Sequence, residues 1–185
     1  GLNYDVETAI TVCRQAGFYE QGLFLAKQHD RHSAWLKLQL DQDKRGTSEA
    51  GDASLVHTVA VPGVDRAQDC AAALDYIRAL PTFGEAKGAI MDYGRVLLDA
   101  LPEETTEFLI DLCTGISHPA KVGKGTGGGD RNLEEYMDIF LGEGGREQLM
   151  VFLERAKSQH EASGVKLERQ TTQKVNETLV ELYLQ

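Results

Sequence analysis

Long apolar runs are missing from this sequence. The apolar runs that occur span only a few residues, as Val96-Leu97-Leu98 does. A helix that crosses a bilayer needs roughly 20 consecutive apolar residues, so we expect no membrane-spanning helix. The first residues, Gly1-Leu2-Asn3, also lack the basic and then apolar pattern of a signal peptide.

Cysteine is scarce as well, and the three cysteines (Cys13, Cys70 and Cys113) lie far apart. An odd, dispersed set does not suit a disulfide framework, and no Cys-x-x-Cys pair is present to begin a zinc site. Each cysteine stands in an apolar helical context, where a free thiol behaves as a small hydrophobic side chain. The pattern indicates a reducing compartment, most simply the cytosol.

Positively charged residues are fewer than negatively charged ones. The chain has 19 lysines and arginines against 29 aspartates and glutamates, which gives a net charge of −10. A surface of this charge repels the phosphates of nucleic acids and the head groups of anionic membranes. We therefore expect partners that are proteins, with no nucleic acid and no direct membrane insertion.

What the sequence does contain is helical periodicity. Its 185 residues, 42% of them hydrophobic, suffice for one sizeable core or a short run of stacked repeats. Apolar residues recur every three or four positions, as Val6, Ile10 and Cys13 do. Thr82 and Glu85 have the spacing of a capping box. The nine predicted helices cover about 5–16, 19–29, 32–44, 65–80, the stretch between Thr82 and Pro102, 102–115, 132–141, 146–162 and 171–184.

Two stretches interrupt the periodicity, residues 45–64 and 116–131. The first is rich in Gly, Ser, Ala and Asp, and the second is dominated by Gly. The first also contains the turn signal Pro62-Gly63, and the serial glycines of the second carry high backbone entropy, so we predict that both are flexible loops. Gly123-Lys124-Gly125-Thr126 lacks the Ser or Thr that directly follows lysine in a phosphate-binding loop, so we interpret it as linker.

The limited apolar face of each predicted helix needs a neighbouring helix to bury it. No convincing strand accompanies the helices. A linear stack of antiparallel helical hairpins, an α-solenoid, meets the need for burial, and a compact globular bundle is the alternative. We predict an all-α fold in which residues 1–185 form a single α-solenoid segment.

Collinear stretches along the chain resemble one family. They include Tyr136-Met137-Asp138-Ile139-Phe140 and the segments 5–10, 12–19, 23–27, 35–40, 73–77, 91–94, 102–106, 152–154 and 177–182. These stretches are similar to clathrin heavy-chain-type helical repeats and, more narrowly, to the family of vacuolar protein sorting-associated protein 11. The resemblance covers nearly the whole chain and is interrupted only by the two predicted loops.

This resemblance implies a place within a larger assembly. Members of the family are core subunits of the HOPS and CORVET membrane-tethering complexes, with an amino-terminal β-propeller, a long α-solenoid and a carboxy-terminal RING zinc domain. The chain would be a middle piece of the solenoid, monomeric alone, with the other subunits of such complexes as partners. Its place would be cytoplasmic and peripheral, on late endosome and vacuole (lysosome) membranes. The ubiquitin-ligase activity of a RING domain does not carry over, because the chain has no Cys-x-x-Cys pair.

No pattern of residues indicates catalysis. The spacing of His29 and His32 would allow both to bind one metal ion. However, they lie on either side of a predicted helix break, so we interpret them as solvent-exposed residues at helix ends. Glu103-Glu104 and Glu134-Glu135 stand at predicted helix starts, where the helix dipole favours acidic residues. We predict no catalytic residue, no metal site and no cofactor, and hence that the chain is not an enzyme.

Four aromatic residues lie close together in the sequence: Phe18, Tyr19, Phe24 and Trp35. We expect most of them to pack between helices, and Phe24, outside the apolar stripe, to be the candidate protein-contact residue. Together with the lack of a catalytic pattern, the family resemblance implies a non-enzymatic scaffold in a membrane-tethering complex that serves vesicle fusion. The alternatives are a regulatory module that acts through its two loops, with Thr47 and Ser48 as modification sites, or a solenoid of another vesicle coat or tether.

Overall fold

The computed structural model describes residues 5–41, 64–115, 133–142, 144–164 and 166–184. Within these ranges every regular element is helical, which confirms the all-α prediction for that part of the chain. The elements are α1 (Val6–Gln15), α2 (Tyr19–Gln28), α3 (His32–Gln39), α4 (Val64–Arg78), α5 (Phe83–Ala100), α6 (Pro102–Thr114), α7 (Leu133–Met137), a 3-10 helix (Asp138–Phe140), α8 (Gly145–Ala162) and α9 (Arg169–Leu184). The linear stacking of hairpins into a solenoid stays a prediction.

Several predicted boundaries are wrong. The third helix ends at Gln39 rather than at 44, because the backbone tightens there: the Asp41 N–H donates to the Leu38 carbonyl at 3.3 Å, three residues back. The predicted helix over 132–141 is split into α7 and the 3-10 helix. Val64, predicted as the last loop residue, begins α4. The remainder of the two predicted loops, 45–63 and 116–131, lies outside the described residues.

The chain divides into two compact units, residues 1–73 and 74–185. In the first unit, α1, α2 and α3 pack in succession around buried Ile10, Tyr19, Ala26 and Leu38. Gly22 lies so close to α3 that a Cβ there would meet Cδ1 of Leu38 at 3.0 Å. The small residue therefore lets α2 and α3 approach closely.

The turns of this first unit follow from local chemistry. Asp5 caps α1 by accepting a hydrogen bond from the Glu7 N–H at 3.2 Å. Gly17 adopts a left-handed φ of 77° after α1, and the Phe18 N–H donates to the Cys13 carbonyl at 2.8 Å. Asp30 takes a left-handed φ of 53° between α2 and α3, a conformation that aspartate tolerates better than most residues.

In the second unit, α6 is the central helix and packs on both α5 and α8. The predicted start signals of α5 and α6 are confirmed: the Glu85 N–H donates to the Thr82 hydroxyl oxygen at 3.2 Å, and Pro102 is the first residue of α6. The core contains large side chains that are almost fully buried: Ile90, Leu97, Phe108, Leu109, Ile110, Leu112, Leu133, Tyr136 and Phe152. Phe140 and Phe152 stack at a centroid distance of 5.1 Å, so the 3-10 helix is held against α8.

Candidate protein-interaction surfaces

Phe24 projects from α2 into solvent, with 67% of its surface exposed. The buried stripe of the same helix runs through Tyr19, Gly22 and Ala26. Phe24 lies two residues before Ala26 and hence roughly 200° around the helix from it. The side chain singled out by the sequence therefore stands on the face of α2 opposite the core of the first unit.

Phe18 is a second exposed aromatic residue, at 59%, and the sequence did not distinguish it. Its backbone is held by the turn after α1, so the ring stands directly before α2. Tyr19, by contrast, is buried, and Trp35 is partly buried against the core. Of the four aromatic residues only two, Tyr19 and Trp35, pack against the core, so the expectation that most of them do is wrong: Phe18 is exposed as well as Phe24.

A groove of about 580 Å³ lies between α1 and α3. Its lining includes the apolar residues Ile10, Ala34 and Leu38, and Lys37 is among the polar ones. The charges around it largely satisfy one another: Arg14 pairs with Asp41, and Arg31 pairs with Glu7 at 3.3 Å. The groove therefore offers shape and some apolar surface but little surplus charge.

Asp5, at the start of α1, is exposed, yet the pKa of its carboxyl group is shifted. The Thr8 hydroxyl donates to its carboxylate at 2.5 Å, and this hydrogen bond is the main reason why the pKa of Asp5 is lowered from its ordinary value. The Glu7 backbone N–H adds to the effect. Asp5 therefore carries its negative charge at the positive end of the helix dipole over a wider pH range than an isolated aspartate.

A smaller groove of about 290 Å³ separates the first halves of α6 and α8. Glu103, Glu107 and Glu147 line it, with Arg155 paired to Glu107 at 2.6 Å. The acidic pair Glu103-Glu104 lies in the first turn of α6, as expected for residues that complement a helix dipole.

The acidic pair Glu134-Glu135 ties α7 to its neighbours. Glu134 accepts from Lys174 of α9 at 3.1 Å, and Glu135 pairs with Lys87 of α5. The Lys87 ammonium also stands 5.7 Å from the centre of the Tyr136 ring. The contacts of these glutamates hold a short helix in place, and the sequence did not predict these contacts.

Exposed apolar side chains also mark the end of α9. Val180, Tyr183 and Leu184 are 55%, 58% and 82% exposed. Their spacing of three and four residues places them on one face of the helix. Tyr183 lies four residues after Leu179 and continues the row of the buried residues Thr171, Val175 and Leu179, whereas Val180 and Leu184 lie further around the helix.

In the described ranges, the residues that could take part in catalysis or metal binding do not cluster at the surface. No group of three or more His, Cys, Asp or Glu side chains that could hold a metal occurs in them, and none of their helices is long and apolar enough to cross a membrane. His29 follows α2 and His32 begins α3, so both stand at helix ends. The segment Gly123-Lys124-Gly125-Thr126 lies outside the described residues.

One buried polar contact was not visible in the sequence. Sγ of Cys113 lies 3.8 Å from Nε2 of His160, with both side chains almost fully buried between α6 and α8. A thiol and an imidazole this deep cannot meet a substrate from solvent, so the contact belongs to the core.

Comparison with known proteins identifies relatives along the whole chain. It is 33% identical over 187 residues to the human protein named vacuolar protein sorting-associated protein 11 homolog, a match that covers 100% of the chain and 16% of that relative. The Arabidopsis thaliana homolog is 30% identical over 183 residues, 99% of the chain and 16% of the relative. The Dictyostelium discoideum homolog is 37% identical over 111 residues, 60% of the chain and 9% of the relative.

No family model matches the chain, and no solved structure gives a significant match. The relatives nevertheless come from an animal, an amoeba and a plant, and all of them carry the same name. The chain belongs to the family of vacuolar protein sorting-associated protein 11 homologues, and it spans about a sixth, 16%, of the length of the human relative.

Proposed function

We propose that the chain is a scaffold segment that acts in vacuolar protein sorting by binding other proteins, without chemistry of its own. The observation that supports this most strongly is the alignment of 100% of the chain with a relative named for vacuolar protein sorting. The finer proposal is a place in a membrane-tethering complex of the HOPS or CORVET type. The chain would then be cytoplasmic and peripheral on late endosomes and the vacuole or lysosome, held there by the complex.

In this proposal the mechanism is geometric. Stacked helical hairpins would act as a rod that spaces binding modules and offers helix faces as docking surface. Burial stabilises the second unit: a fully buried leucine or phenylalanine contributes about 1.5–3 kcal/mol, and Leu97, Phe108, Leu109 and Phe152 are all buried there. A rigid surface loses little conformational entropy when it binds, which favours docking.

The outer face of α2 is the docking surface that we propose, with Phe24 as its anchor and Phe18 beside the start of the helix. Exposed aromatic side chains carry a large share of the energy in protein interfaces. Phe24 also has no role in the core of its own unit, since 67% of its surface is exposed. Its side chain is therefore available to a partner without rearrangement of the helices.

Size-exclusion chromatography with light scattering tests the proposal directly. The chain is run alone and then mixed with α-solenoid segments of the other HOPS and CORVET subunits, and complexes that form are titrated by calorimetry. We expect a monomer alone and a stable complex with at least one subunit. If the chain stays monomeric and forms no complex with any of the subunits, the docking proposal is wrong and the chain acts only as a spacer.

Two matched variants locate the surface. Phe24→Ser removes the proposed anchor, and Val180→Ser removes an apolar side chain of similar exposure from the second unit. We expect the first to weaken binding by at least about tenfold, close to 1.4 kcal/mol, and the second to leave binding unchanged. Unchanged binding by Phe24→Ser would rule out α2 as the docking face, and weaker binding by Val180→Ser would instead point to the end of α9.

A third variant separates this proposal from a regulatory module that acts through its loops. Residues 45–63 and 116–131 are replaced by Gly-Ser sequences of equal length, which removes any motif there, Thr47 and Ser48 included. Binding that persists supports the helical surface. Binding that is lost, with an unchanged circular dichroism spectrum, would assign recognition to the loops instead.

A further inference from the structure

We draw no further inference here: the strongest candidate, the groove of about 580 Å³ between α1 and α3, has two of its cations, Arg14 and Arg31, already paired with Asp41 and Glu7, and nothing in the structure shows what covers it.

Discussion

Ile139 packs directly against the backbone of Gly94, so closely that a Cβ on that glycine would lie 3.1 Å from Cγ2 of Ile139 and 3.2 Å from its Cδ1. The contact brings the 3-10 helix onto the middle of α5. Gly94 is itself buried among the core residues of α5. The absence of a side chain at this position thus decides how closely the segment after α7 can approach.

Gly94→Ala is expected to leave the second unit less stable than Gly88→Ala does. The added methyl group meets three carbon atoms of the Ile139 side chain within 3.6 Å, and overpacking, which typically costs about 1–3 kcal/mol, opposes the gain in helix propensity. Gly88→Ala is the matched control on the same helix, because nothing lies within 4 Å of its added Cβ.

The control is expected to stabilise the chain by about 0.5–1 kcal/mol, since alanine replaces glycine in a helix interior. Urea unfolding followed by circular dichroism measures both variants. Stabilisation by Gly94→Ala equal to that by Gly88→Ala would contradict the close packing on Ile139.

Leu97→Asp is expected to abolish cooperative unfolding of the second unit. Leu97 is fully buried in α5, and a carboxylate there would have no compensating partner in an apolar setting. Asp92→Ala, an exposed change on the same helix, serves as the control and should shift stability by less than about 0.5 kcal/mol. An unchanged thermal midpoint for Leu97→Asp would show that the apolar stripe of α5 is not core.

Acidification is expected to weaken the start of α1 through Asp5. Its pKa in the folded chain is lowered, so the charged cap stabilises the helix above the ordinary pKa of aspartate. That contribution is lost as the pH falls through the lowered folded value. Removing the hydrogen bond from Thr8 should bring the pKa of Asp5 back toward 3.8.

Carboxyl titration by nuclear magnetic resonance measures this shift in Thr8→Val. Thr11→Val is the control, because the Thr11 hydroxyl donates to the Glu7 carbonyl and does not contact Asp5. We expect only the Thr8 variant to raise the pKa of Asp5. An unchanged value in both variants would mean that the Thr8 hydroxyl does not bond to Asp5 in solution.

The three cysteine thiols are expected to differ in reactivity. Cys70 and Cys113 are almost fully buried, whereas Cys13 is partly exposed. Because a thiol reacts only when reagent reaches its thiolate, a disulfide reagent should label Cys13 first in the folded chain. Mass spectrometry of partly labelled protein gives the order in which the cysteines react. Labelling of Cys113 before Cys13 would contradict the burial of Cys113 beside His160.

The local signals in the sequence were sufficient to predict most helices and several of their ends. Thr82 caps α5, Pro102 begins α6 and Gly115 follows it with a left-handed φ of 73°, because the backbone hydrogen bonds at a helix end depend on residues within one turn. The apolar stripe through Ala86, Ile90 and Leu97 is likewise buried. Periodicity determines it, since those residues share one helix face whatever packs against them.

Tertiary packing decided the rest. Phe18 and Trp35 are both aromatic residues near helix starts, yet only Trp35 packs against the core, since burial depends on which neighbouring helix covers a side chain. The same cause splits the predicted helix over 132–141, where Ile139 lies against Gly94, and brings Cys113 to His160 across 47 residues of sequence. The sequence alone thus determined where helices form, because helix formation is local. Only the tertiary structure decided which side chains remain exposed to bind, because burial depends on contacts between residues far apart in the chain.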